Sequence, residues 1–239
     1  MIVIPMAGLS SRFFKAGYTQ PKYMLEAHNQ SLFDHAVTSF KALFETELFV
    51  FIIRDIYHTR QFIEARIAAL GIKQYHITVL NQETRGQAET VALGLADINY
   101  QGPITIFNID TFRPHFIYPD LTTLGDGYLE VFEGSGDNWS FAKPAKTGST
   151  QVIETAEKRP ISNLCCTGLY YFSDINDYHY AYNDYISRPV TEWEKGELYV
   201  APLYNILIRE GKEIHYNLIA RKQVIFCGVP QEYLDFLNQ

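Results

Sequence analysis

Four short apolar runs, residues 2–6, 48–53, 76–80 and 104–109, are separated by segments of near-helical period. Leu32, Ala36, Phe40 and Leu43 keep that spacing in the first gap. Phe62, Ile63, Ile67 and Leu70 keep it in the second, and Gly71 stops the segment. Residues 88–96 fill the third. Runs this short and this apolar are strands buried on both faces, and helices between such strands imply a parallel sheet. The second half is different: strand-like segments at 128–133, 139–142, 151–154 and 166–172 follow with few helices between them. Helices are expected at 175–185 and 198–209, then strands at 214–218 and 223–227 and a short terminal helix. The expected class is α/β: a parallel central sheet with helices on both faces, followed by a second half richer in strands. With 239 residues and no linker-like stretch, residues 1–239 read as one domain of two halves, 1–125 and 126–239.

Composition excludes several classes. The formal net charge of −7 argues against a nucleic-acid binder. The run at 48–53 falls far short of the roughly 20 residues that span a bilayer. Residues 1–6 lack the basic flank of a signal peptide. Three cysteines, two of them adjacent at Cys165 and Cys166, make no disulfide framework, so a reducing cytoplasm is expected. There is no zinc spacing, no G-x-S-x-G elbow, no Walker A loop and no G-x-G-x-x-G. The tyrosine-rich stretch 178–182 is read as packing, or as a contact between copies of the chain in a homo-oligomer.

In open α/β sheets ligands bind beyond the carboxyl ends of the strands. After the first strand come Ala7, Gly8, Ser10 and Arg12, then Lys15 and Lys22, with no acidic residue before Glu26. Backbone N–H groups of a glycine turn, with Arg and Lys nearby, suit a polyphosphate; the alternative is a solvated loop. After the third strand come Gln82 and Gly86, opening an alanine-rich helix. Gln82 offers a donor and an acceptor to a base edge; the alternative is a helix capped by Thr84. After the fourth comes Asp110, expected on the same strand face as Asn108 and able to hold Mg²⁺; the alternative is a capping Asp. Glu157-Lys158-Arg159-Pro160 is a charged turn that either is solvated or holds a second phosphate.

In this order, these pieces resemble the nucleotidyltransferase family that activates sugar phosphates and related phospho-alcohols. Residues 4–12 followed by Pro21-Lys22-Tyr23-Met24 resemble the signature G-x-(G/S)-x-R…P-K-x-M. Gln82 through Thr90 is similar to the base-contacting segment, and Asp110 stands where the family's metal-binding Asp ends a strand. Glu157-Lys158-Arg159-Pro160 resembles the acceptor turn E-K-x-P, residues 168–172 the strand after it, and Glu197-Leu198-Tyr199 a later substrate-facing segment. Residues 228–234 resemble a degenerate G-T-P-x-D-L. Two departures stand out. Ser10 replaces a glycine, and Phe226 or Cys227 occupies the place of a second metal-binding Asp.

The resemblance implies an α/β fold, a Rossmann-like, mostly parallel central sheet with helices on both faces plus an inserted smaller mixed sheet, with a nucleotide-binding half at 1–125 and an acceptor-binding half at 126–239. It implies Mg²⁺-dependent transfer of a nucleoside monophosphate from an NTP, CTP by the short compact form, to a phosphorylated acceptor with release of pyrophosphate. It implies Arg12, Lys22 and Asp110 as catalytic, with Asp110 on the metal. Ala7, Gly8, Ser10, Gln82 and Gly86 would bind nucleotide; Glu157, Lys158, Gly168 and Glu197 would bind the acceptor. A sugar phosphate, phospho-alcohol or phospho-amide would serve, for surface-polysaccharide precursors. The alternatives are a glycosyltransferase of the A-type fold using a nucleotide-sugar, which lacks here the second carboxylate of D-x-D, and a nucleotide-binding protein that has lost catalysis.

Overall fold

The computed structural model describes all 239 residues. In chain order the elements are β1 (Ile2–Pro5), α1 (Ser11–Lys15), β2 (Glu26–Ala27), β3 (Gln30–Ser31), α2 (Leu32–Val37), β4 (Leu48–Ile53), α3 (Thr59–Leu70), β5 (Gln74–Val79), α4 (Gln87–Leu95), β6 (Ile104–Phe107) and β7 (Thr111–Phe112). They continue with β8 (Gly127–Glu133), β9 (Ser140–Pro144), β10 (Val152–Glu157), β11 (Leu164–Phe172), α5 (Ile175–Ser187), α6 (Leu203–Arg209), β12 (Ile214–Ile219), β13 (Ile225–Phe226) and α7 (Pro230–Leu237). The chain divides into two compact units. One comprises residues 1–83, 107–117 and 222–239; the other comprises residues 84–106 and 118–221.

The first unit is built on a parallel ladder. β1 pairs with β4 from Ile2↔Phe49 to Pro5↔Ile52, and β4 pairs with β5 from Leu48↔Gln74 to Ile53↔Val79. Met6 N–H donates to Ile52 O at 2.8 Å and Leu80 N–H to Ile53 O at 2.7 Å, so the ladder ends where the apolar runs end. β1 and Phe49–Ile53 are buried, each side chain contributing about 1.5–3 kcal/mol on leaving water. Phe33, Phe40, Phe44, Phe49 and Phe51 meet in tilted, edge-on and stacked pairs that lock this core. A capping box between Ser31 and Asp34 starts α2, and Gly71, at φ +79°, stops α3.

The second unit carries strands in mixed pairing. β11 runs antiparallel to β8 and to β9, β10 runs antiparallel to β9, and β12 is parallel to β8. All nine residues of β11 are buried. Tyr178, Tyr182 and Tyr185 form the buried face of α5, and the Tyr178 hydroxyl donates to Ala88 O on α4. The tyrosine-rich stretch therefore packs, with Tyr180 on the outer face.

Three boundaries differ from the sequence pattern. The helix expected at 198–209 begins at Leu203: residues 200–202 make a tighter turn, with Leu203 N–H donating to Val200 O at 3.0 Å, and Leu198 pairs with another segment. The helical period at 32–43 tightens into a 3₁₀ turn over Thr38–Leu43, where Phe40 leaves helical geometry at φ −101°. The strand expected at 104–109 ends at Phe107. Residues 108–111 turn, with Thr111 N–H donating to Asn108 O at 3.3 Å, so Asn108 and Asp110 do not share a strand face.

Candidate active site

In a parallel ladder all carboxyl ends lie on one edge. In the first unit that edge gathers the loops after β1, β4 and β5. Ala7 is buried, while Gly8 and Arg12 are exposed. Gly8 has ordinary φ, and a Cβ built on it meets nothing within 4 Å. Nothing in the protein itself requires glycine there. Ser10 adopts φ +51°, and its carbonyl accepts the Phe13 and Phe14 N–H groups that start α1. Its hydroxyl accepts the Lys22 N–H at 3.1 Å, joining the two halves of the N-terminal signature.

Lys22 then reaches across 88 residues of sequence: its Nζ lies 2.5 Å from Asp110 Oδ2, with both side chains about one-fifth exposed. Asp110 sits in the turn between β6 and β7. Its carbonyl accepts the Cys227 N–H at 2.8 Å, and β7 pairs with β13. A Cβ on Gly228 would lie 3.1 Å from Asp110 Oδ2, so glycine there keeps that flank of the carboxylate clear. The adjacent turn is held by Glu232, which accepts the Gly228 and Val229 N–H groups at 2.8 and 3.2 Å. The Cys227 thiol, buried and facing Glu232 and Asp110, is pushed up to about 12 despite Lys22, and stays protonated. Gln82 is exposed on the loop after β5, beside an Arg54–Glu83 ion pair of 3.2 Å.

Gly86 belongs to the second unit and caps α4 at φ +149°, ψ 176°. The glycine itself, not Thr84, stands at the cap; Thr84 pairs through its hydroxyl with Thr90 at 2.6 Å. Leu198 N–H donates to Arg85 O at 2.9 Å, and Ala88 N–H donates to Leu198 O at 2.8 Å. A Cβ on Gly86 would fall 2.4 Å from Leu198 O. The close approach that the glycine permits is thus to the backbone of the 197–199 segment.

Glu157 ends β10 and is 5% exposed. Ser140 donates to its carboxylate, and the Ser140 hydroxyl lies 3.3 Å from that of Tyr170. Burial raises the Glu157 pKa; Ser140 and Lys158 oppose the rise, and Glu194 and Glu197 add to it. A carboxyl raised on folding stabilises most when protonated. Its contribution is present below the unfolded value near about 4.3 and is lost as pH rises through the higher folded value. Glu157→Gln should remove that loss. The melting temperature of the variant, followed against pH, should fall less than that of wild type across this window; parallel curves would show that Glu157 carries no such cost.

Lys158 follows at φ +51°, its N–H donating to Trp139 O at 2.8 Å. Its Nζ lies 2.6 Å from the Tyr199 hydroxyl and 4.7 Å from the Tyr199 ring centroid. Arg159 points to Glu154 at 3.1 Å and Glu194 at 3.8 Å instead. Gly168, at φ +96°, lies within the register shift of β11 on β8, where a bulge needs that conformation. Glu197 is exposed.

The structure brings Ser10 and Asp110 onto Lys22, and it sets Gly86 against the 197–199 segment, a contact that the sequence did not suggest. Arg12 and Gln82 are exposed. Ser140, Tyr170, Tyr199 and Gly228 were not singled out by sequence. Tyr170, Tyr199 and Gly228 carried a signal, each lying inside a quoted motif; Ser140 lay in an expected strand with no such signal.

No protein-family model and no curated protein matches the chain. Solved structures do. The nucleoside-diphosphate-sugar pyrophosphorylase from Vibrio cholerae RC9 is 64% identical, with 100% of each chain covered and a TM-score of 0.97. The inositol-1-phosphate CTP transferase from T. maritima shares the fold at 13% identity, over 99% of this chain and 94% of that one, with a TM-score of 0.75. A UDP-glucose pyrophosphorylase complexed with UDP-glucose does so at 15% identity, over 99% and 96%, with a TM-score of 0.74. The parallel ladder, the strands in mixed pairing and a 64% identical relative along the whole chain agree, and the chain belongs to the nucleotidyltransferases of the A-type NTP-transferase fold.

Proposed function

We propose that the chain joins the nucleoside monophosphate of an NTP to a sugar phosphate or similar phosphorylated acceptor and releases pyrophosphate. The observation that carries this is the Ser10–Lys22–Asp110 grouping beside Gly8. Three distant segments converge on a cation and a carboxylate, next to a glycine that only a bound group would require. The 64% identical nucleoside-diphosphate-sugar pyrophosphorylase supports a sugar phosphate as acceptor. CTP is the nucleotide this reading favours.

An oxygen of the acceptor's phosphate attacks the α-phosphorus. The new P–O bond forms as the bond to pyrophosphate breaks, and the pair leaves with pyrophosphate. That phosphate is already ionised at neutral pH, so no general base is needed. Catalysis is positioning and charge neutralisation. Ala7, Gly8 and Ser10 cradle the triphosphate, Arg12 meets the leaving pyrophosphate, and Lys22 reaches the α-phosphate. Gln82 and Gly86 fix the base. Lys158 holds the acceptor phosphate; Glu157, Gly168 and Glu197 shape the rest of its site.

Asp110 is the residue that would hold Mg²⁺. The donor chemistry fits: Asp110 is a partly exposed carboxylate whose Oδ2 meets Lys22, and Mg²⁺ takes one or two carboxylates and completes its shell with phosphate and water. When bound, the ion neutralises charge on the triphosphate. No helix is long and apolar enough to cross a membrane. A cytoplasmic enzyme supplying precursors for surface polysaccharide is the setting this reading favours.

Pyrophosphate release from each NTP with Mg²⁺ and a panel of sugar phosphates and phospho-alcohols tests it. Release should require one NTP and one acceptor. Lys158→Ala should raise the acceptor KM about tenfold or more, the loss of one charge-assisted contact, and leave the NTP KM unchanged. Equal effects on both KM values remove Lys158 from the acceptor site. Nucleotide binding without release from any pair would favour a binding protein that has lost catalysis.

A further inference from the structure

The Lys158 ammonium is met in the second unit by a phenol. Tyr199 Oη accepts from it at 2.6 Å, and the ring centroid lies 4.7 Å away, so the cation rests over the hydroxyl end of the ring. Both ends of this contact have fixed backbones. Lys158 is held in a left-handed conformation by its bond to Trp139 O. Tyr199 follows Leu198, which is fully buried and bonded on both sides to Arg85 and Ala88, and precedes buried Val200. Lysine is a flexible point charge whose aim is set by what it leans on.

We infer that Tyr199 is the positioning residue that aims Lys158 at the acceptor's phosphate without neutralising it. A carboxylate at this place would also orient the ammonium, but it would cancel the charge and compete with the phosphate. The phenol accepts one of three N–H bonds and adds the attraction of its ring, leaving two donors and a full positive charge for the ligand. This inference rests on the reading of Lys158 as an acceptor residue.

The test compares Tyr199→Phe, Tyr199→Leu and Tyr199→Glu, alone and combined with Lys158→Ala, using glucose 1-phosphate and phosphocholine as probes. Turnover is followed by pyrophosphate release, binding by calorimetry and folding by thermal melting. Tyr199→Phe keeps the ring and should raise the acceptor KM about threefold; Tyr199→Leu and Tyr199→Glu should raise it about tenfold or more. The NTP KM should not move, and in the Lys158→Ala background none of the three should add anything. Equal rises in both KM values, or effects that persist without Lys158, overturn the inference. If Lys158→Ala raises the acceptor KM but no Tyr199 variant does, the inference alone fails. If Lys158→Ala leaves it unchanged, or if wild type binds neither probe, the underlying reading fails with it.

Discussion

Asp110→Asn should lower kcat about 10²- to 10³-fold at saturating Mg²⁺ and leave the fold intact, the size expected when one preorganised charge partner is removed from a reacting phosphate. Asparagine keeps the shape and the backbone bond from Cys227. What is lost is the negative charge. Lys22 then loses its ion-pair partner at 2.5 Å, and no other anion replaces it: the Cys227 thiol stays protonated, and the Glu232 carboxylate is committed to the Gly228 and Val229 N–H groups. The ion pair is partly exposed, so its loss should cost only about 1 kcal/mol, or roughly 2–4 °C in melting temperature for a chain of this size. Pyrophosphate release together with a thermal melt separates the two effects. A variant that turns over at the wild-type rate would remove Asp110 from the reaction. One that loses activity only because it melts early would show a structural role.

Gly86→Ala should be the most destabilising single methyl in the site. The backbone at φ +149°, ψ 176° is a region open essentially to glycine alone, and forcing alanine into it costs about 1–3 kcal/mol. The added carbon would also lie 2.4–2.7 Å from three backbone atoms of Leu198, which cannot swing aside as a side chain can. The two bonds that Leu198 makes to Arg85 and Ala88 would have to lengthen or break, at about 0.5–1.5 kcal/mol each. A loss of about 3 kcal/mol lowers the melting temperature by roughly 6–12 °C. Gly8→Ala is the contrasting control. With ordinary φ and nothing within 4 Å, it should melt like wild type and yet weaken NTP binding, since only a bound triphosphate would claim that space. A Gly86→Ala chain as stable as wild type would mean that the 85–88 and 197–199 segments separate freely.

The sequence by itself determined the elements and their class. Apolar runs such as Leu48–Ile53 admit no other buried conformation than strand, and Gly71 ends a helix because it alone takes φ +79° without strain. It also marked the segments proposed to carry chemistry, since Gly8, Lys22, Asp110 and Lys158 stand in patterns of fixed spacing. It misplaced Asp110 on a strand face, because the turn at 108–111 is set by a bond from Cys227, over a hundred residues away. Partners were decided only by the tertiary structure. Lys22 meets Asp110 across 88 residues, and Lys158 meets Tyr199 across 41. Gly86 is fixed as glycine by the backbone of Leu198. Local propensity and periodicity act over one or two turns of chain, whereas a charge pair, a phenol under an ammonium or a missing Cβ answers to whichever segment folding brings within a few ångströms.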